Sequence, residues 1–128
     1  MNRKSILVVD DEKNIRLALS MALEKLEFPV ETAASGEEAM EKVDQGSYEI
    51  MLLDLRMPGM DGIATLTEIK RIAPQVEVII LTGHASMDAA VEITRLGGYD
   101  YLLKPCPVED LLAKIESAFE RKTTRERK

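Results

Sequence analysis

The segment Ser5-Ile-Leu-Val-Val-Asp-Asp-Glu12 is the most informative part of the sequence for the fold. The four residues after Ser5 are apolar and mostly β-branched, so residues 5–9 are predicted to form a short strand buried on both faces, as in parallel sheets. Two aspartates and a glutamate follow at once, so acidic side chains stand at the carboxyl end of this strand. The pattern therefore predicts a buried parallel strand that brings acids to one edge of a sheet.

The rest of the chain repeats this alternation of strand and helix. Further strands are predicted over residues 30–34, 48–53, 76–81 and 99–103. Apolar spacing, capping serines and terminating glycines or prolines predict helices over 15–26, 35–46, 62–73 and 86–96, and a last helix from about residue 107. Five strands alternating with five helices predict an α/β fold, a doubly wound five-stranded parallel sheet with helices on both faces.

Composition places the chain among single globular domains. It has 128 residues, of which 45% are apolar and 31% charged, and this length suits one domain. The lone cysteine, Cys106, cannot form an internal disulfide. Neither a signal peptide nor an apolar run long enough to span a membrane is recognisable, so we expect a cytoplasmic protein that does not associate with membranes.

Charge divides the chain into two unequal parts. Residues 121–128 hold five bases and one acid, so residues 1–120 are more acidic than the net charge of −6 for the whole chain suggests. An acidic body should repel nucleic acid, and we expect no direct binding of it. We predict that residues 1–120 form the domain, and that residues 121–128 are a basic tail, either a solvated helix end or the start of a linker.

Polar residues stand at the carboxyl ends of the predicted strands. Asp10 and Asp11 follow the first strand, Asp54 the third, Thr82 the fourth and Lys104 the fifth. In doubly wound sheets ligands bind at this edge. Each pair of carboxylates about 4 Å apart costs on the order of 4 kcal/mol, so the cluster requires a cation. Oxygen ligands without histidine or cysteine favour Mg²⁺, although each acid taken alone could simply cap the helix that follows it.

Four segments resemble the motifs of a known family, the receiver domains of two-component response regulators. They are Ile-Leu-Val-Val-Asp-Asp-Glu (6–12), Leu-Leu-Asp-Leu-Arg-Met-Pro-Gly-Met-Asp-Gly (52–62), Leu-Thr-Gly-His-Ala (81–85) and Gly-Gly-Tyr-Asp-Tyr-Leu-Leu-Lys-Pro (97–105). The resemblance runs from Ile6 to about Phe119 and implies the flavodoxin-like (βα)5 receiver fold.

The resemblance implies a phosphoryl-accepting site. Asp54 would accept a phosphoryl group from a phosphohistidine on a sensor histidine kinase or a phosphotransfer protein. Asp11, Asp54 and the backbone carbonyl of Arg56 would bind Mg²⁺, with Asp10 acting mostly through water. Lys104 would neutralise the phosphoryl oxygens, since such transfers need positioning and charge neutralisation and little else.

The resemblance also implies a conformational switch. The hydroxyl of Thr82 would turn towards the phosphoryl group, and Tyr101 would move between an exposed and a buried position. Arg56 and His84 would flank the phosphoryl group, and the Lys104–Pro105 peptide bond would be cis. The switch would control a downstream effector or a fused output domain, with transcription as one candidate output, so the chain is expected to be a signalling domain rather than an enzyme acting on a separate substrate.

Other functions are weaker or stay open. An aspartyl-phosphate hydrolase generally needs an acid two residues after its nucleophile, and Arg56 stands there. A flavodoxin-like electron carrier needs a phosphate-binding loop after the first strand, where Asp10-Asp-Glu-Lys13 would repel phosphate. An unphosphorylated receiver-like scaffold that acts by protein–protein interaction stays the alternative, and homodimer formation is left open.

Overall fold

The computed structural model of the chain describes residues 5–57, 59–83 and 86–126, with side chains described as far as residue 122. Within these ranges strands and helices alternate: β1 Ile6–Val9, α1 Lys13–Lys25, β2 Val30–Ala33, α2 Gly36–Gln45, β3 Ile50–Asp54, α3 Gly62–Ile72, β4 Glu77–Thr82, α4 Met87–Arg95, β5 Asp100–Leu103 and α5 Val108–Glu126. All strand pairs are parallel, in the order β2-β1-β3-β4-β5. The predicted doubly wound α/β fold is confirmed.

Two apolar layers cover the two faces of the sheet. Every residue of β1, β3 and β4 is buried, because helices lie on both faces. Alternate strand residues enter opposite cores: Ile50 and Leu52 pack with residues of α1 and α5, whereas Met51 and Leu53 pack with residues of α2, α3 and α4. Because the central strands are enclosed on both faces, their polar residues are confined to the strand ends.

Side-chain caps begin the two helices for which serine caps were predicted. The Ser35 hydroxyl accepts a hydrogen bond from the Glu38 N–H at 3.1 Å, and the Glu38 carboxylate accepts one from the Ala34 N–H at 2.7 Å. Before α4, the Ser86 hydroxyl accepts a bond from the Ala89 N–H at 3.0 Å. The caps satisfy N–H groups that lack partners within the helix.

Several predicted boundaries are wrong by one or two residues. Tyr48 and Glu49 precede β3, which begins at Ile50, where pairing with β1 and β4 starts. Thr82 lies inside β4, because it still pairs with Leu103. Strands β1, β2 and β5 are each one residue shorter than predicted, and α1 begins two residues earlier. Apolar runs locate strands well, but the pairing partners set their ends.

Helix α5 runs through most of the basic tail, to Glu126. The Lys122 ammonium group donates to the Gln75 carbonyl at 2.5 Å and lies 3.1 Å from the Glu49 carboxylate. The expectation of a solvated helix end is therefore wrong for Lys122, which is buried; the domain boundary at residue 120 stays a prediction. Among the described residues, no helix has both the length and the apolar character needed to cross a membrane.

Candidate functional site

Three charged side chains from three strand ends meet at the carboxyl edge of the sheet. The Lys104 ammonium group, just after β5, lies 2.8 Å from the Asp10 carboxylate and 3.1 Å from the Asp54 carboxylate. Asp10 follows β1 and is 1% exposed, and Asp54 ends β3 and is 7% exposed. The fold thus brings two buried carboxylates to one lysine, from positions 50 and 94 residues away in sequence.

The segment after β3 holds Asp54 in place through a close backbone approach. The Leu55 N–H donates to the Leu81 carbonyl at 3.1 Å, and the Gly62 N–H donates to the Leu55 carbonyl at 3.0 Å. A Cβ atom on Gly62 would lie 2.5 Å from the Asp54 carbonyl oxygen and 2.6 Å from the Leu55 Cα, too close for any other residue. Only glycine allows α3 to begin against the backbone that carries Asp54.

Burial and charge shift the pKa of both partners in this cluster. Burial raises the pKa of Asp54 above its usual value, and the Asp10 charge adds to the rise, while hydrogen bonds from Lys104 and the Arg56 N–H partly oppose it. For Lys104, burial alone would lower the pKa, but hydrogen bonds and charges from Asp10 and Asp54 outweigh it and raise the pKa. The lysine is thus held protonated, and Asp54 is a carboxylate whose charge is incompletely compensated.

The acidic loop after β1 divides its side chains between the interior and solvent. Carboxylate oxygens of Asp10, Asp11 and Glu12 all lie within 4.8 Å of one another. Both oxygens of Asp10 are engaged, one by the Glu12 N–H at 2.9 Å and the other by Lys104. Asp11 and Glu12 are exposed. Glu12 was absent from the predicted ligand set, although its position directly after two aspartates was a visible signal.

Thr82 and Tyr101 occupy the positions from which the predicted switch would act. Thr82 ends β4 and is buried, and its carbonyl accepts a hydrogen bond from the Lys104 N–H at 2.8 Å. Tyr101 lies within β5, half-buried against the core formed with α2, α3 and α4. Both residues are therefore joined to the strand that leads to Lys104.

The remaining predicted features are distributed around this cluster. The Lys104–Pro105 peptide bond is cis, as the resemblance implied. The Arg56 side chain is exposed, and its backbone N–H donates to the Asp54 carboxylate. The prediction for His84 falls outside the described residues.

With this geometry in place, comparison with known proteins identifies the family. A family model described as "Response regulator receiver domain" matches residues 6–116. The chain belongs to the receiver domain family of response regulators, which are signalling proteins.

The particular relatives include transcriptional regulators. The chain is 40% identical over 118 residues to the DNA-binding transcriptional regulator NtrC of Escherichia coli, covering 92% of the chain and 25% of NtrC. It is 42% identical over 113 residues to the transcriptional regulatory protein ZraR of the same species, covering 88% of the chain and 26% of ZraR. The chain therefore spans about a quarter of the length of these curated relatives.

Solved structures similar to the chain include separate receiver domains. A CheY-like receiver domain protein of Methanospirillum hungatei is 30% identical, with a TM-score of 0.92 over 97% of this chain and 99% of that one. The response regulator TrrA of Thermotoga maritima, solved in complex with Mg²⁺ and BeF, is 32% identical, with a TM-score of 0.82 over 90% of this chain and 98% of that one.

Proposed function

We propose that the chain accepts a phosphoryl group on Asp54 in a Mg²⁺-dependent reaction, from a sensor histidine kinase or a phosphotransfer protein. The observation that carries the proposal is the buried Asp54 carboxylate at the sheet edge, beside Lys104 and the acidic loop after β1. Membership of the receiver family supports the same reaction.

The residues present fit a bound Mg²⁺ ion. Among the described residues, the acidic side chains at this edge offer carboxylate oxygens, which Mg²⁺ prefers, and the buried pair Asp10 and Asp54 shares the ammonium group of Lys104. We assign Asp11, Asp54 and the Arg56 carbonyl as ligands. Asp10, whose two oxygens accept hydrogen bonds from the Glu12 N–H and from Lys104, would act through water. When bound, Mg²⁺ would neutralise charge on the transferred phosphoryl oxygens.

Asp54 acts as the nucleophile in this proposal. A bond forms between a carboxylate oxygen of Asp54 and phosphorus while the bond between phosphorus and the phosphohistidine nitrogen breaks, leaving imidazole on the donor and an acyl phosphate on Asp54. Lys104, already 3.1 Å from Asp54 and held protonated, would move its hydrogen bond from the carboxylate to a phosphoryl oxygen. Because its side chain is largely buried, solvent screens this interaction less than at the surface.

The new group would bias a two-state equilibrium through Thr82. Its hydroxyl would donate to a phosphoryl oxygen, a contact that exists only in the modified protein, which is the differential interaction that a population shift requires. The β4–α4 segment would follow Thr82, and Tyr101, half-buried in the next strand, would become more deeply buried. The face formed by α4, β5 and α5 would then present a different surface to an effector or an attached output domain.

The wider biological role follows from the relatives named above. Because NtrC and ZraR are transcriptional regulators, we propose that the switch controls transcription through an output region outside this chain. Control by a sensor kinase would place the protein in the cytoplasm, without direct contact between this domain and nucleic acid. Formation of a homodimer is left open.

Intact-mass measurement tests the proposal. The full chain is incubated with a small acyl-phosphate donor, with Mg²⁺ or with a chelator, beside the Asp54→Asn variant. We expect one phosphoryl adduct that requires Mg²⁺ and is absent from the variant. A folded protein without an adduct in any condition would favour the scaffold alternative, and an equal adduct on the variant would refute the assignment of Asp54.

A further inference from the structure

Helix α1 begins in a way that local helix preferences do not explain. Its N-cap residue Glu12 makes no side-chain capping bond, and no acidic residue lies in its first turn. Instead Lys13 and Arg16 bring positive charge to a helix end where the dipole disfavours it. Basic residues that destabilise a helix end beside a candidate site indicate that a requirement of the site, and not helix stability, determines their presence.

The side chain of Arg16 reaches back to the end of β1. Its Nη1 donates to the Asp10 carbonyl oxygen at 2.8 Å. Asp10 is buried, and its own N–H donates to the Ala33 carbonyl at 3.1 Å, so Arg16 supplies the partner that the buried Asp10 carbonyl needs. Within the described part of the chain the guanidinium group forms no ion pair with a carboxylate, which leaves the carbonyl as its contact.

This bond clamps the backbone on one side of Asp11. On the other side, the Glu12 N–H is held by the Asp10 carboxylate at 2.9 Å. The peptide unit before Asp11 and the amide after it are therefore both fixed, while the Asp11 carboxylate itself is exposed. Two hydrogen bonds orient the one side chain of this loop that the proposed function requires as a direct ligand.

We propose that Arg16 is a positioning residue for Asp11, and through it for Mg²⁺ binding. This inference rests on the proposed function. Groups that orient metal ligands without touching the metal commonly change metal affinity by about tenfold or more when removed. The direction of the change in Mg²⁺ affinity distinguishes positioning from charge repulsion. If Arg16 acted only as a nearby positive charge that repels Mg²⁺, its removal would strengthen Mg²⁺ binding, whereas loss of positioning weakens it.

The test compares Mg²⁺ affinity in the full chain and in three variants at constant ionic strength. Arg16→Gln removes the charge and the guanidinium donors, and Arg16→Lys keeps the charge but replaces the planar guanidinium with an ammonium group. Arg71→Gln removes the same charge from an exposed arginine on α3 that pairs with Glu68. Affinity is measured by titration calorimetry with Mg²⁺ alone, and the Asp10 carbonyl and Asp11 amide shifts by NMR without metal.

We expect Arg16→Gln to raise the dissociation constant for Mg²⁺ about tenfold, Arg16→Lys to recover part of this loss, and Arg71→Gln to change nothing. The metal-free shifts of Asp10 and Asp11 should move in Arg16→Gln, move less in Arg16→Lys and stay unchanged in Arg71→Gln. At saturating Mg²⁺, Arg16→Gln should be phosphorylated at the rate of the unmodified protein. Unchanged or tighter Mg²⁺ binding by a folded Arg16→Gln protein would overturn the inference and leave the proposed function standing. If Arg16→Gln does not fold, the inference depends on Arg16→Lys, and unchanged affinity and shifts there would overturn it. An unmodified protein that binds no Mg²⁺ would refute both.

Discussion

Among the described residues, both edges of the sheet hold buried charges, but acids and bases are equal in number at only one edge. At the amino edge, the Glu77 carboxylate at the start of β4 is fully buried and accepts two bonds from Arg121, at 2.9 and 3.3 Å. Beside it, Lys122 contacts Glu49 at 3.1 Å. At the carboxyl edge, one lysine serves two buried carboxylates.

The difference separates a structural cluster from a functional one. The amino-edge cluster, with two acids and two bases, fixes α5 to the sheet, and the Arg121 guanidinium also stacks 4.9 Å over the Tyr99 ring. The carboxyl edge keeps an uncompensated negative charge that burial makes costly, as the raised pKa of Asp54 records. A buried charge is therefore weak evidence of function, whereas an excess of one sign indicates a site made for a missing counter-charge.

The largest expected effect comes from removing one cation from each edge. Lys104→Met takes the shared ammonium group from two buried carboxylates, and Arg121→Met takes two hydrogen bonds from a third, so we expect each to lower the free energy of unfolding by about 3 kcal/mol without Mg²⁺. Mg²⁺ should bind about tenfold more tightly to Lys104→Met, because the competing ammonium is gone. At saturating Mg²⁺ the deficit of that variant should then shrink by about 1.4 kcal/mol.

Urea unfolding of both variants, with and without Mg²⁺, measures this difference. The loss of unfolding free energy in Arg121→Met should be the same with and without Mg²⁺, because the Arg121 cluster lies at the other end of the strands. Phosphorylation of Arg121→Met should be unchanged. If Mg²⁺ reduced the loss of unfolding free energy equally in both variants, the proposed excess of negative charge at the carboxyl edge would be refuted. In Lys104→Met, phosphorylation should also leave the NMR chemical shifts of Thr82 and Tyr101 unchanged.

A smaller effect is expected from Thr82→Val, which removes the hydroxyl and keeps the side-chain shape. Phosphorylation should proceed, but loss of a hydrogen bond to a charged oxygen, worth about 1.5 kcal/mol, should lower the equilibrium constant for the switched state about tenfold. The Tyr101 ring shift on phosphorylation reports that population. Thr67→Val, on the exposed side of α3, is the matched control, and an undiminished Tyr101 shift in Thr82→Val would exclude the threonine from the switch.

The smallest effect concerns the stability of the metal-free protein. Because the pKa of Asp54 is raised in the folded state, its ionisation opposes folding as pH rises through that pKa. Asp54→Asn should therefore be more stable than the unmodified protein at neutral pH, and the difference should vanish as pH falls below the usual pKa of aspartate. Thermal unfolding at several pH values measures it, with the exposed Asp44→Asn as control. A less stable Asp54→Asn at neutral pH would contradict the imbalance at this edge.

Sequence patterns were sufficient to predict which residues lie at the carboxyl edge, because each of them is marked by the apolar run directly before it. Each of Asp10, Asp54 and Lys104 follows an apolar run, and parallel strands bring their carboxyl ends together wherever the strands pair. The sequence did not show which aspartate of the acidic loop is buried and which is exposed. Asp10 and Asp11 are adjacent and identical in type, and only the structure shows that the first is buried in contact with Lys104 and Arg16 while the second is exposed.

The amino edge could not be predicted, because its pairs join distant parts of the chain. Arg121 and Glu77 are 44 residues apart, and Lys122 and Gln75 are 47 residues apart. In sequence, Glu77 is one polar residue in an apolar strand, and Arg121 and Lys122 begin a basic tail. Their pairing depends on the length and direction of α5, which only the packed structure defines.

Chemical trapping of the acyl phosphate shows which side chain accepts the phosphoryl group. The protein is treated with an acyl-phosphate donor, with and without Mg²⁺, and then with borohydride, which reduces an aspartyl phosphate to homoserine. Peptide mass spectrometry then locates the product. We expect homoserine at position 54 alone, and only with Mg²⁺. Homoserine at Asp10, Asp11 or another acid, or none at position 54 in a folded protein that binds Mg²⁺, would contradict it.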